Sequence, residues 1–466
     1  MEENRTRPNN PRRRRKTKWE IIKEAYLPTI ILIATVILII IFIAGSLSRR
    51  TDPKETTPPE TSSTAPTGDP YEAEVQQRLT DAAILAADYD YKGAADLLAA
   101  FSGDITSYPE LSAKRDEYLS LDANMVTWSD PSQVKTLSFH TLIADPARAF
   151  TNAAYGAAYK KNFVTIEEFK TILQQLYDNG YILVSLDDFS FAANPSAEIT
   201  DGDICSAKEL RLPIGKKPLV LVQTNANYYT YMVDGNGDGN ADKDGAGFAS
   251  RMLVGEDGKI TCEMVDSEGN TVQGAYDLVP ILNDFIAGHP DFSYRGAKAI
   301  LAPSGYDGIF GYRINAGVKA TKGEEYYNSQ VAGATELVDA LRADGYELAC
   351  YTYGNSAYGV ISAGEIQSDL RSWTSEITPV FGPTNILVFA QNSQIDEYTG
   401  AKFNVLYNAG FRYFFGFDTA GTVSTNYILQ GRILVTGSQM ADNPSLYSGL
   451  FDAAAVRDTL RGDATN

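Results

Sequence analysis

Histidine is nearly absent: the 466 residues include two, His140 and His289. A catalytic zinc site draws on about three protein ligands, usually His-rich, so two histidines far apart in the chain argue against one. Cysteine is scarce as well. Cys205, Cys262 and Cys350 lack metal-type spacing, and their odd number leaves at least one thiol free or paired between chains. Basic residues are scarce beyond the N-terminus. The first 50 residues hold 11 Lys/Arg against 4 Asp/Glu, while the whole chain carries −19, so the remainder is strongly acidic. Such a body disfavours nucleic acid or an anionic polymer as partner.

Apolar and aromatic residues are plentiful. A 44% hydrophobic content with 28 Tyr and 20 Phe fits a folded globular body. Leu27 to Leu47 is uncharged and apolar. As a helix it would span about 31 Å, matching a bilayer core of ~30 Å, with Pro28 in the first turn where proline is tolerated. Basic residues crowd its N-terminal side, from Arg5 to Lys23, and fewer follow it. The charge bias puts the N-terminus in the cytoplasm and the body outside. No Ala-x-Ala site closes the run, so it reads as an uncleaved signal anchor.

The expected organisation is a basic cytoplasmic tail (1–26), a single transmembrane helix (27–48) and a Thr/Pro/Ser tether (49–70). A tetratricopeptide-like helical hairpin (71–122) and a barrel (130–460) follow. In the hairpin, Ala82, Ala83, Leu85, Ala86 and Tyr89 set a helical period. One repeat is too few for a solenoid, so a spacer packed on the barrel is expected. From Val134 strands alternate with helices, which predicts an α/β fold, a distorted (β/α)7 barrel. The strands are predicted at Val134–His140, Ile182–Ser185, Pro218–Val222, Ala297–Ala302, Glu347–Tyr351, Ile386–Phe389, Arg412–Phe417 and Arg432–Val435.

Two strand-to-loop segments carry the functional signal. One runs from Lys217 through Gln223-Thr224-Asn225-Ala226-Asn227 to Tyr228 and Tyr229. The other runs from Gly345 through Cys350-Tyr351-Thr352-Tyr353-Gly354 to Asn355. With Leu137–Leu142, Phe163–Phe169, Asn179–Phe189 and Phe411–Gly416 in collinear order, the chain resembles the polysaccharide deacetylases of carbohydrate esterase family four, in their membrane-anchored Gram-positive form. The resemblance implies a deacetylase-type barrel with an Asp base, an Asp ligand and two His ligands. Here Thr224 and Asn225 fall where the aspartates belong, and Tyr351 and Asn355 where the histidines belong. The late Leu-His pair is also missing from Ile433–Gly437. Thr cannot act as a general base at neutral pH, and neutral Asn offers zinc no charge. No catalytic residue is therefore expected, and catalytic zinc is disfavoured.

Aromatic rings and amides at the strand ends suit a sugar. His140, Gln223, Asn227, Tyr228, Tyr229, Tyr306, Tyr353 and Asn355 are the expected glycan-binding residues. A separate loop, 234–245, places Asp234, Asn236 and Asp238 at calcium-loop positions 1, 3 and 5, Gly239 at 6, and Asp242 at 9. Asn240 and Asp244 add oxygen, but Gly245 stands where the bidentate Glu belongs, so calcium and a solvated turn are both open readings. The expectation is a catalytically inactive, membrane-anchored protein that binds cell-wall polysaccharide. The alternatives are an active deacetylase with a rebuilt site, its base being Asp307 or Glu347, and a scaffold for another envelope protein.

Overall fold

The structure is a computed structural model and describes residues 69–192, 205–234, 245–417 and 421–462. The expected transmembrane segment lies outside the described residues. So do Asn236, Asp238, Asn240, Asp242 and Asp244 of the calcium-type loop; of its expected ligands Asp234 alone is described, buried at its start. No described helix is long and apolar enough to cross a membrane.

Seven parallel strands form a ring in chain order: β1 (Lys135–Phe139), β2 (Lys217–Thr224), β3 (Ile300–Ala302), β4 (Glu347–Leu348), β5 (Ile386–Val388), β6 (Tyr413–Phe417) and β7 (Ile428–Leu434). Each pairs in parallel with the next except across the β4–β5 seam, and β7 returns to β1 through Ile433↔Leu137. The β4–β5 seam is the thinnest. Cys350 just beyond β4 closes it, accepting from the Val388 amide at 2.9 Å and donating to the Ile386 carbonyl at 3.0 Å.

Alternation sorts the strand residues. Leu219 and Leu221 of β2 face the helices, while Val220 and Val222 join Ile300, Ala302, Val388 and Phe415 inside the ring. Burial on both faces explains the near-continuous apolar run of β2. The outer layer includes α1 (Ile166–Asp178), α2 (Leu278–Gly288), α3 (Glu324–Ala343), α4 (Ala363–Ser372) and α5 (Gly400–Asn408). Helix α1 starts at a capping box in which Thr165 and Glu168 exchange side-chain-to-backbone bonds. It buries Phe169, Ile172, Leu173 and Leu176 on one stripe.

Several expectations are corrected. The strand near Ile182 is Tyr181–Leu183; it pairs with the first residues of β2, bridges to Ser293 through Leu183, and is not a ring member. The last strand begins at Ile428, four residues before the predicted start. No helix joins β6 to β7 among the described residues; a return segment runs antiparallel against β7 at Thr422–Val423. A three-stranded antiparallel sheet over 251–274 lies outside the predicted strands. The segment expected as a hairpin holds a third helix: Glu72–Ala87, Tyr91–Ala99 and Pro109–Ala123. It meets the barrel where Tyr89 stacks on Tyr294 and donates to the Asp291 carbonyl at 2.6 Å. All three cysteines are free and buried.

Candidate functional site

In a parallel barrel the side chains at strand C-ends converge on one mouth. Here a cavity of about 230 Å³ opens there, lined by His140, Asn162, Asn225, Tyr351, Asn355, Gln391, Asn392, Arg432, Leu434 and Thr436. The rim is conformationally unusual. Asn225, Thr352, Asn355, Gln391 and Asn392 all adopt positive φ, between 50° and 64°. Asn tolerates this region, but a β-branched Thr there is an outlier of the kind that gathers at ligand sites.

Thr224 Oγ1 lies 2.8 Å from His140 Nδ1, so the hydroxyl at the end of β2 is tied to the imidazole just beyond β1. The Tyr351 hydroxyl sits against Thr224 and Arg432; burial raises its pKa, and the Arg432 charge partly offsets this. Arg432 donates to Ser138 Oγ at 3.1 Å and to the Phe389 carbonyl at 2.5 Å, and its guanidinium stacks 4.0 Å from the Phe417 ring centre. Burial lowers its pKa to about 10, so it stays charged at neutral pH. Burial, with the Arg432 charge second, pushes His140 down to about 4, so the imidazole is neutral.

Of the expected glycan contacts, His140 and Asn355 line the cavity, and Asn355 Oδ1 is buried without a partner. Tyr229 and Tyr306 stand beside it. Tyr229 is sandwiched between Tyr231 and Tyr306 at 5.6 and 5.3 Å and donates to Asn225 Oδ1 at 2.7 Å. Tyr306, 43% exposed, offers the accessible surface of that stack. Tyr353 is half-buried; its hydroxyl bonds Glu376 at 2.8 Å, and its ring lies where a Cβ on Gly305 would be, so glycine is required there.

Gln223, Asn227 and Tyr228 are corrected, since all three are buried and held by internal bonds. Gln223 and Tyr228 donate to Asp277 at 2.7 and 2.5 Å. Asn227 donates to the Ser304 and Gly308 carbonyls and accepts from the Ser304 amide, fastening the loops after β2 and β3 together. Neither alternative base reaches the cavity lining. Asp307 is bound to Thr230 and paired with Arg313 at 3.4 Å. Glu347 starts β4 at the opposite end of the barrel, accepting from the Leu186 amide at 3.3 Å.

The residues present do not fit a transition metal. Thr224, Asn225, Tyr351 and Asn355 offer neutral oxygens, and Arg432 sets a permanent cation among them. No three His, Cys, Asp or Glu side chains gather as a metal site among the described residues. Sequence reasoning passed over Arg432. The available signal was a lone charge in the strand Ile428–Leu434, whose neighbours alternate towards the ring interior.

Neither a protein-family model nor a curated protein matches the chain. Among solved structures, the deacetylase PplD of Streptococcus pyogenes in complex with acetate aligns at 10% identity and a TM-score of 0.34, over 68% of this chain and 98% of that one. A de-N-acetylase from Aggregatibacter actinomycetemcomitans aligns at 11% identity and a TM-score of 0.35, over 68% and 99%. The barrel itself rests on the strand pairing described above.

Proposed function

We propose that this chain is a polysaccharide-deacetylase-like barrel, tethered outside a membrane by its 27–48 segment, that binds a cell-wall sugar without hydrolysing it. One observation carries the reading. The inward groups at the mouth, His140, Thr224, Tyr351 and Arg432, are tied to one another where hydrolysis would need a base and metal ligands. A neutral imidazole, a hydroxyl pair and a guanidinium can hold hydroxyl and acyl oxygens, but they do not generate a hydroxide nucleophile. Exposed Tyr306 supplies an aromatic surface beside the amides of the rim.

Two assays on the purified full chain test this. Titration with solubilised wall glycan fragments is expected to show saturable binding that weakens in Tyr306→Ala. Acetate release from N-acetylated glycan, with zinc, cobalt or manganese added, is expected to stay at background. Metal-dependent turnover would restore the enzyme reading, and failure of every fragment at millimolar concentration would remove the binding one.

A further inference from the structure

Arg432 is 2% exposed, and its charge is met by no Asp or Glu among the described residues; its neighbours are the Tyr351 hydroxyl, Ser138 Oγ and a carbonyl. Its Nε has no partner. A guanidinium has five donors, so this one keeps capacity beyond its bonds to Ser138, Phe389 and Tyr351. An uncompensated buried cation is costly, and an incoming anion relieves that cost. The cavity lining contains no carboxylate, and its remaining polar groups are amides, hydroxyls and the neutral imidazole of His140, all suited to neutral oxygens. Its volume, about 230 Å³, is below the ~300–1,000 Å³ of sites for drug-sized ligands, which suits one sugar ring and not a chain.

We propose that the cavity takes an acidic monosaccharide unit, a sugar carrying a single carboxylate that docks on Arg432 while its hydroxyls meet the Asn225, Asn355, Gln391 and Asn392 rim. The inference rests on the sugar-binding reading and specifies the sugar. The acidic body still disfavours a polyanion, but its field is screened over ~8 Å at physiological salt. At the cavity the local guanidinium dominates, because Arg and carboxylate match in charge and planar geometry.

The test is calorimetric titration of the full chain with methyl glucuronide, methyl glucoside and inorganic phosphate, at pH 6 and pH 8. The glucuronide is expected to bind about tenfold or more tightly than the glucoside, equally at both pH values, because Arg432 keeps its charge and His140 stays neutral. In Arg432→Gln the preference is expected to vanish. In Arg432→Lys, which keeps the charge and loses the fork, it is expected to shrink and persist. Thermal unfolding of each variant is recorded alongside, and if Arg432→Gln does not fold, the Lys variant carries the comparison. Equal affinity for glucoside and glucuronide overturns the acidic-sugar inference and leaves sugar binding standing. Phosphate matching the glucuronide while the glucoside is silent overturns both, leaving a simple anion site. Silence from all three probes overturns the acidic-sugar inference, and the wall-fragment titration then decides the sugar-binding reading.

Discussion

Arg461 grips Glu168 with two parallel bonds, Nε to Oε1 at 2.5 Å and Nη2 to Oε2 at 2.6 Å, both side chains almost fully buried. Glu168 also accepts from the Thr165 and Asp458 amides, and Arg461 donates to the Lys160 and Phe163 carbonyls. The C-terminal segment is thereby fastened to the first turn of α1. Arg432 is the contrast: equally buried, with no such partner. Arg412 is a third buried arginine without a carboxylate, but it sits at the start of β6, held by the Tyr407 and Phe411 carbonyls and stacked on the Tyr407 ring. Only Arg432 of the three lines the mouth.

Removing one partner of a satisfied buried pair strands the other. Glu168→Gln is expected to cost roughly 3–5 kcal/mol of stability, measured by urea unfolding. The double variant with Arg461→Met should lose less than the sum of the two single changes.

Asp277 and His140 should tilt the stability curve in opposite directions. Burial raises the Asp277 carboxyl to about 6, against three or more hydrogen bonds that lower it. The native state therefore binds more protons than the unfolded chain between pH ~4 and 6, and this group's contribution falls as pH rises. His140, lowered to about 4, is the reverse: the unfolded chain binds more protons between about 4 and 6.5, so its contribution rises with pH. Relative to the parent, Asp277→Asn should gain on the order of 2–3 kcal/mol between pH 4 and 7, and His140→Gln should lose a similar amount. Denaturant unfolding at those two pH values reads both.

Asp369 of α4 holds the mouth loop after β4. It accepts from the Tyr353 and Gly354 amides at 2.7 and 2.9 Å and from the Ser356 and Tyr358 hydroxyls at 2.7 Å each. Asp369→Ala should destabilise by about 3 kcal/mol, given four lost bonds partly replaced by water. It should also raise hydrogen exchange selectively across 352–358. Uniform exchange throughout the chain would argue against a local clamp.

Tyr351→Phe removes the hydroxyl facing Thr224 and Arg432. It is expected to cost about 1 kcal/mol, to leave the overall fold unchanged by circular dichroism, and to alter sugar affinity, because the guanidinium loses one of its neutral acceptors.

How far the sequence discloses this site differs by residue. Ring strands are legible where burial on both faces imposes apolar runs: the expected Pro218–Val222 falls within Lys217–Thr224, and Ile386–Phe389 matches Ile386–Val388. The start of β7 was hidden because Gln430 and Gly431 interrupt its apolar pattern. The 251–274 sheet did carry a signal, since Ile260, Cys262 and Met264 alternate as a half-buried strand should, after Asp257-Gly258 at a turn. Motif position brought Thr224, Asn225, Tyr351 and Asn355 to one mouth, but it could not reveal that Gln223 and Tyr228 turn to Asp277. That contact joins residues 49 or more positions apart, and only the fold sets it.

The placement of Arg432 also constrains any attempt to build metal chemistry into this mouth. Carboxylate and imidazole introduced at positions 224, 225, 351 and 355 would form a ligand shell beside a fixed positive charge. The new acids would pair with the guanidinium in competition with a divalent ion. An engineered metal site would therefore bind more tightly with Arg432 replaced by a neutral residue than with it in place.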